Sequence, residues 1–371
     1  MPTRPPFAAD HVGSLLRPAA LRDARTAFKR GELSREALTA AEDDAVRDVV
    51  RKQEAIGLHS ITDGEFRRDW WHIDFLEQLD GVEARRDPTT ASFHGADEVV
   101  PVLTVTGKVR HVRPIFVEAF RSLKSATQRT AKLTIPSPAM LHLRGGRPAI
   151  DRDTYPDLDE FWADVAAAYR AEIAALAEAG CTYLQLDDVS FAYLCDPKIR
   201  EGYVARGDDP AAAPHTYIRV INEALRDRPA NMAVTIHTCR GNFKSTWMAS
   251  GGYEPVAEAL LSGLDVDGYF LEYDTERAGG FEPLRFLAKG KKVVLGLVTS
   301  KSPELESVDA LRRRIDEAAQ YVPHENLCLS PQCGFSSTHH GNALTEEDQW
   351  AKLARVVEVA QTSLPEPSRR P

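Results

Sequence analysis

The sequence predicts an α/β fold in which eight parallel strands alternate with helices and close into a TIM (β/α)8 barrel. Short apolar, β-branched runs recur along the chain, and a helical pattern follows them. About eight such runs can be counted, which is the number that a closed barrel of strand–helix units requires. The predicted strands are 11–16, 60–66, 132–137, 182–188, 233–239, 268–274, 292–299 and 327–333.

Helical periodicity between these strands supports the alternation. Apolar residues recur at helical spacing over 161–176, and Gly180 follows as a predicted C-terminal cap. A second helical pattern is predicted to end near Pro229. The last predicted helix begins at Thr345, with Asp348 at the spacing of a capping box.

The chain is expected to form one barrel domain over 1–371, although 371 residues also suit two domains of about 150 each. The segment 67–131 is too long for a simple crossover and contains an alternating run at 99–112 and the paired Trp70 and Trp71. We predict that it forms an insertion over the barrel after the second strand. No internal repeat of 20 to 50 residues is found.

Charge and composition exclude several classes of function. Lys and Arg total 46 against 55 Asp and Glu, which gives a net charge of −9 and a pI near 5.7. Nucleic acid and anionic membranes are therefore not expected partners. No apolar run reaches the ~18 residues of a membrane span, and Arg4, Asp10 and Arg17 interrupt the region of a signal peptide, so a cytoplasmic protein is expected. Five cysteines argue against a disulfide framework and admit thiol or metal chemistry.

Polar side chains concentrate at the carboxyl ends of the predicted strands. In a barrel these ends open on one face, so the side chains are expected to converge although they lie far apart in sequence. The set consists of Ser14, Asp63, Glu65, Asp187, Asp188, His237, Cys239, Glu272, Asp274, Lys301 and Cys333.

Four of these residues suit a metal ion. His237 and Cys239 are two apart in a predicted strand and therefore project to the same side. A lone pair of this kind arises by chance, but Glu272 and Cys333 at two other strand ends complete a tetrahedral set of one nitrogen, two sulfurs and one oxygen. Such a set favours zinc over magnesium, calcium or an iron–sulfur cluster.

The other candidates have competing interpretations. Asp63 in TDGE can simply make a turn. For Glu65, a role as a helix cap and a role in the site are about equally favoured. Asp187 and Asp188 directly follow an apolar run, so at least one carboxylate is expected to face the barrel mouth, where it suits an ammonium group or proton transfer.

Three cysteines and a histidine pair stay outside the predicted metal set. Cys181 and Cys328 begin their strands among apolar neighbours and are predicted to be buried as small hydrophobic residues. The roles of Cys195, His339 and His340 are left open.

The blocks HVGSL, TDGEF, LQLDD, HTC, FLEYDTERAGGFEPL and SPQCGF together resemble the catalytic barrel of cobalamin-independent methionine synthase and its short single-barrel relatives. The resemblance covers almost the whole chain, and the blocks occur in the same order as in the family. It implies that His237, Cys239, Glu272 and Cys333 hold zinc and that Ser14, Glu65 and Asp187 hold homocysteine. The implied reaction is methyl transfer to a zinc-activated thiol, giving methionine.

Two departures from the family leave alternatives open. The large enzymes have an additional N-terminal barrel that helps to hold polyglutamated folate, and 371 residues are not expected to include it. The methyl donor is therefore left open as folate or another molecule. Lys301 stands where they have a histidine that protonates the leaving group, so it is a candidate catalytic residue. The alternatives are alkylation of another thiol, as in epoxide–coenzyme M transfer, and a non-catalytic protein that binds zinc or homocysteine. A homo-oligomer or a partner protein is left open.

Overall fold

A computed structural model describes residues 4–85 and 101–364. The helices are α1 (Ala19–Lys29), α2 (Arg35–Ala55), α3 (Ile73–Leu76), α4 (Val117–Ala126), α5 (Met140–Leu143), α6 (Leu158–Glu178), α7 (Ser190–Tyr193), α8 (Pro197–Ala205), α9 (Ala213–Leu225), α10 (Glu254–Gly263), α11 (Val308–Ala318) and α12 (Glu346–Ser363). The strands are β1 (Ser60–Ile61), β2 (Asp80–Arg85), β3 (Val102–Arg110), β4 (Thr130–Pro136), β5 (Tyr183–Asp188), β6 (Ala233–Thr238), β7 (Gly268–Glu272), β8 (Lys292–Val298) and β9 (Leu327–Pro331).

The centre of the fold is a curled parallel sheet of seven strands in the order β1-β4-β5-β6-β7-β8-β9. All residues of β5, β6, β7 and β9 are buried, which explains why apolar residues predominate in these strands up to their carboxyl ends. The α/β class is therefore confirmed, and the arrangement is consistent with a TIM-like barrel.

The first predicted strand, 11–16, is wrong. Residues 8–15 do run between the two edges of the sheet, because the amide of Asp10 donates to the carbonyl of Leu329 at 3.0 Å and that of Leu15 to Gly64 at 3.1 Å. A regular ladder does not form, since the Asp10 carboxylate accepts the amide of His11 at 2.8 Å, and Gly13 has a φ of 144°. Seven strands and one extended segment thus take the place of eight strands.

The predicted helix signals are confirmed. Helix α6 covers the predicted period and is followed by Gly180 with a φ of 88°, which a residue with a Cβ adopts only with strain. Helix α9 ends at Leu225, before Pro229. Both hydrogen bonds of the capping box between Thr345 and Asp348 are present at the start of α12.

The segment 67–131 is not confirmed as a single insertion. It contains α3 and an antiparallel ribbon of β2 and β3, but it also contains α4, which leads directly into β4. Helix α4 therefore has the place of an ordinary crossover helix between β1 and β4. Residues 86–100, which include the start of the predicted alternating run, lie outside the described ranges. The single-domain boundaries stay a prediction.

Candidate metal centre and substrate cleft

The four predicted metal ligands come together at the carboxyl ends of β6, β7 and β9. His237 lies in β6 and Glu272 ends β7, whereas Cys239 and Cys333 follow β6 and β9 by one and two residues. One ligand atom from each residue lies within 4.8 Å of all the others, and the two Sγ atoms are 3.4 Å apart. The amide of Cys239 still donates to the Asp188 carbonyl at 2.7 Å, so the β6 ladder extends to the first thiol.

The surroundings of these residues fit a metal ion. His237 is 1% exposed, yet neither ring nitrogen has a hydrogen-bond partner among residues 4–85 and 101–364. Buried polar atoms rarely stay unpaired, and a ligated ion would satisfy one of these nitrogens. The Glu272 carboxylate is oriented by the Arg240 amide at 2.8 Å and by the Gln332 side chain at 3.3 Å. Such outer contacts commonly fix the direction of a metal ligand.

The two thiols of this site differ from the other three in their electrostatics. The hydrogen bond between them raises the pKa of Cys239, which burial also raises, and lowers the pKa of Cys333, so one proton is shared by the pair. Burial instead raises the pKa of Cys181, Cys195 and Cys328 to about 12 each. These three thiols are protonated at neutral pH, and Cys181 and Cys328 are buried as predicted.

Glu65 and Asp187 lie beside the metal ligands. Asp187 is directly opposite His237 in the pairing of β5 with β6 and accepts a hydrogen bond from Gln185 at 2.7 Å. Glu65 lies in the turn after β1 with a φ of 60° and accepts a hydrogen bond from Thr134 at 3.0 Å. Asp63 makes this turn by accepting the amide of Glu65 at 2.9 Å, which agrees with the turn interpretation of that residue.

Both carboxyl groups hold their protons unusually tightly. Burial raises the pKa of Glu65 to about 7, with Arg68 opposing the shift and Asp187 adding to it. Burial also raises the pKa of Asp187 to about 6, against the charge of His237. A cation placed near both groups would favour their ionised forms, so this part of the site is suited to receive positive charge.

Ser14 is brought next to the metal site by a close approach of two backbone segments. Its carbonyl accepts the amide of Phe335 at 2.9 Å. A Cβ atom at Gly334 would lie 1.9 Å from the Ser14 Oγ, so only glycine fits directly after Cys333 without moving the serine. The hydroxyl of Ser14 is thereby placed within the same site as the thiols.

The remaining candidates differ in position. Asp188 caps α7, because its Oδ1 accepts the Ser190 hydroxyl at 2.7 Å and the Phe191 amide at 3.1 Å. Lys301 does not line the cleft described below, and its Nζ is buried without a hydrogen-bond partner in the described part of the chain. Its charge nevertheless acts to lower the pKa of Cys239, which places it on the metal side of the site.

A cleft of about 570 Å³, its open mouth included, joins these groups. The predicted residues in its wall are Ser14, Glu65, Asp187, Asp188, His237, Cys239 and Cys333. Sequence reasoning did not assign several other lining residues, namely Trp70, Trp71, His72, Arg144, Tyr193, Asn242 and Phe243. They belong to loops and short helices beyond the strand ends, where no fixed spacing marks them, and the WWH sequence was the only local signal.

Arg17 connects the loops around the cleft. Its guanidinium is buried and donates to the hydroxyl of Ser336 at 2.7 Å and to the carbonyl of Thr338 at 3.1 Å. It also donates to the carbonyls of Glu65 at 2.9 Å and Arg68 at 2.7 Å. One side chain therefore holds both the turn that presents Glu65 and the loop that follows Cys333.

The fold and the site define a parallel α/β protein with a buried His–Cys–Glu–Cys group at the carboxyl ends of its strands. Residues 7–362 match the family described as "Cobalamin-independent synthase, Catalytic domain". The chain therefore belongs to this family of methionine synthase-like methyltransferases. No helix within residues 4–85 and 101–364 has the length and apolar character to cross a membrane.

Individual relatives extend this assignment. The chain is 49% identical to the uncharacterized protein YxjH of Bacillus subtilis, over 96% of this chain and 94% of that protein. It is 28% identical to a 5-methyltetrahydropteroyltriglutamate–homocysteine methyltransferase of Paraburkholderia xenovorans, over 94% of this chain but 42% of that protein. A structure from Listeria monocytogenes, provisionally named a vitamin-B12 independent methionine synthase, shares 42% identity and a TM-score of 0.79 over 98% of this chain and 100% of that one.

Proposed function

We propose that this protein is a zinc-dependent methyltransferase that methylates the thiol of homocysteine to give methionine. The main support is one observation. A candidate metal group with two thiols lies in the same cleft as two buried carboxyl groups, Glu65 and Asp187, that are suited to an ammonium group. A metal that binds sulfur and a receptor for an amino group together match an amino acid with a side-chain thiol.

The donor set favours zinc as the metal. His237, Cys239, Glu272 and Cys333 would hold it through one nitrogen, two sulfurs and one oxygen, and two thiolates make a bound metal electron-rich. When bound, zinc lowers the pKa of the acceptor thiol, so that a thiolate is present near neutral pH. Glu272 would supply the only oxygen ligand of the set, and its carboxylate would be the ligand most readily exchanged for a substrate sulfur.

The acceptor is oriented by protein groups on both sides of its α-carbon. Glu65 and Asp187 would pair with its ammonium group in charge-assisted hydrogen bonds. The hydroxyl of Ser14 and nearby backbone amides would receive its carboxylate. These contacts hold the thiolate in the direction from which it displaces a methyl group, so the chain contributes mainly orientation and exclusion of water.

The buried carboxyl pair also favours this acceptor over other thiols. Coenzyme M has no ammonium group, and its sulfonate would enter a site in which Glu65 and Asp187 repel negative charge. Alkylation of such a thiol is therefore the second enzymatic candidate, and a non-catalytic protein that binds zinc or homocysteine is the third. Lys301 is proposed to supply positive charge, or a proton, near the reacting thiolate.

The test is a product assay on the zinc-loaded protein. Homocysteine is supplied with donors that carry a ¹³C-methyl group, namely methyltetrahydrofolate in mono- and polyglutamate forms, S-methylmethionine and other methylated small molecules, and labelled methionine is measured by mass spectrometry. Cys239→Ser serves as the inactive control. We expect labelled methionine from at least one donor with wild-type protein only.

Each other outcome favours a different candidate. Labelled methyl-coenzyme M in parallel reactions, without methionine, would support the alternative acceptor. Homocysteine binding measured by calorimetry, without product from any donor alone or with candidate partner proteins, would support the binding protein.

A further inference from the structure

The cleft contains a second set of polar groups that binding of the acceptor thiol leaves unused. His72 precedes α3, Arg144 follows α5 and Tyr193 ends α7, so the three belong to the connections after β1, β4 and β5. The metal ligands belong instead to β6, β7 and β9 or to the residues that directly follow them. All three residues line the cleft, so they form a distinct part of its wall.

Two of these groups, His72 and Tyr193, are buried and prepared to donate hydrogen bonds. His72 is 2% exposed and Tyr193 is 4% exposed. Neither nitrogen of His72 nor the Tyr193 hydroxyl has a hydrogen-bond partner in the part of the chain that the structure describes. Burial and the charge of Arg144 hold the pKa of His72 well below its usual value, so its ring is neutral and one nitrogen carries a proton. Burial raises the pKa of Tyr193 and the charge of Arg144 opposes this shift, which places Arg144 near both groups.

A guanidinium, a phenol and a neutral imidazole grouped in this way suit one small anion. Each can donate a hydrogen bond to an oxygen, and the guanidinium matches the planar shape of a carboxylate. The unpaired buried donors of His72 and Tyr193 cost stability, and a bound carboxylate would satisfy them. The group therefore has the properties of a receptor for a carboxylate.

The rest of the cleft favours positive charge. Aromatic rings of Trp70, Trp71, Tyr193 and Phe243 contribute to its wall. The wall also contains the carboxyl groups of Glu65, Asp187 and Asp188, whereas Arg144 is the only lysine or arginine among the described lining residues. Aromatic faces and carboxylates attract methylated ammonium and sulfonium groups, and the same charges repel donors with several negative charges.

We infer that the methyl donor is a small onium compound, a sulfonium or quaternary ammonium, whose carboxylate is bound by Arg144, His72 and Tyr193. This inference rests on the proposed methyl transfer to homocysteine and adds the chemical class of the second substrate. The donor site would thus be formed by Arg144, His72 and Tyr193 of this chain.

The transfer balances without any further reactant. The thiolate of the acceptor supplies the electron pair of the new S–CH₃ bond, and the C–S or C–N bond of the donor breaks. Its electron pair stays on the donor, which leaves as a neutral thioether or tertiary amine. No proton is exchanged and nothing is oxidised or reduced, so the negative charge of the thiolate and the positive charge of the onium centre cancel.

The test uses pairs of donors that differ only in the carboxylate. Zinc-loaded protein and homocysteine are supplied with dimethylsulfoniopropionate or its methyl ester, and with glycine betaine or its methyl ester. We expect at least one of the two acids to give methionine with a kcat/KM at least tenfold above that of its ester. Arg144→Met should lower kcat/KM for that acid at least tenfold and leave its ester within threefold of wild type. Arg113→Met, at an exposed position, is the matched control.

Several results would overturn the inference. If methyltetrahydrofolate yields methionine and neither onium acid does, the donor class is wrong while the proposed function stands. If the acids and esters react equally, or if Arg144→Met weakens both to the same extent, the carboxylate receptor is wrong. If no donor yields methionine, both proposals fail together. Should Arg144→Met not fold, as judged by circular dichroism and zinc content, Tyr193→Phe and His72→Phe each remove one unpartnered donor and are expected to lower kcat/KM for the acid only.

Discussion

Replacing Glu65 by glutamine tests the proposed receptor for the ammonium group. Glutamine keeps an oxygen that can accept the Thr134 hydroxyl, now 3.0 Å from Glu65 Oε1, and replaces the charged second oxygen, which lies 3.6 Å from Arg68, with a neutral NH2 group. Losing one partner of a buried, hydrogen-bonded charge pair costs about 2–5 kcal/mol of binding free energy. Asp187 offsets part of this loss, because its own pKa falls once the like charge beside it is gone. We therefore expect Glu65→Gln to lose about 2 kcal/mol of binding free energy for the amino acid, which is roughly a 30-fold increase in its Kd.

The assay is calorimetric titration of the zinc-loaded protein with methionine between pH 5.5 and 8. Methionine has the same ammonium and carboxylate groups as homocysteine but no titrating thiol. Burial raises the pKa of Glu65 to about 7, so in wild-type protein this carboxyl is protonated at pH 5.5 and ionised at pH 8. Affinity should therefore increase with pH across this range, and Glu65→Gln should remove most of that increase. Glu118→Gln, at an exposed position of α4, is the control.

The same shift predicts an effect on stability. A carboxyl group with a raised native pKa holds its proton at pH values where the unfolded chain has lost it, so its contribution destabilises the unliganded protein as pH rises from about 4.5 to 7. Glu65→Gln should melt no lower than wild type at pH 8.

If the Glu65→Gln protein binds methionine as tightly as wild type at pH 8, with the same pH dependence, the assignment of Glu65 to the ammonium group is refuted.

Three further changes separate the parts of the site. Cys333→Ser should lose zinc, measured by mass spectrometry of the metal, without changing the circular dichroism spectrum; full zinc occupancy would contradict the ligand set. Arg17→Met should weaken methionine binding about tenfold while zinc is retained, because the turn that presents Glu65 loses its hydrogen bond from Arg17. Arg17→Lys should recover part of the lost affinity. An effect no larger than that of Arg22→Met, at an exposed position, would contradict this role of Arg17. Lys301→Met should lower kcat at least tenfold at unchanged zinc content. An unchanged kcat would show that Lys301 has no catalytic role.

The sequence by itself determined the features that depend on local patterns and on the geometry of parallel strands. Helix α6, its termination before Gly180 and the capping box at Thr345 follow from periodicity and cap chemistry, which act between neighbouring residues. His237, Cys239, Glu272 and Cys333 could be grouped because the carboxyl ends of parallel strands meet at one edge of a sheet.

Only the tertiary structure decided the features that depend on distant partners or on the paths of loops. Residues 11–16 have the apolar pattern of a strand, but the Asp10 carboxylate takes the amide of His11 and prevents a regular ladder. His72, Arg144 and Tyr193 have no common spacing and share one cleft only because three connections pass above the same strands. Side-chain patterns specify where a strand lies, whereas the direction of a loop is fixed by long-range contacts, such as those of Arg17, that no local pattern contains.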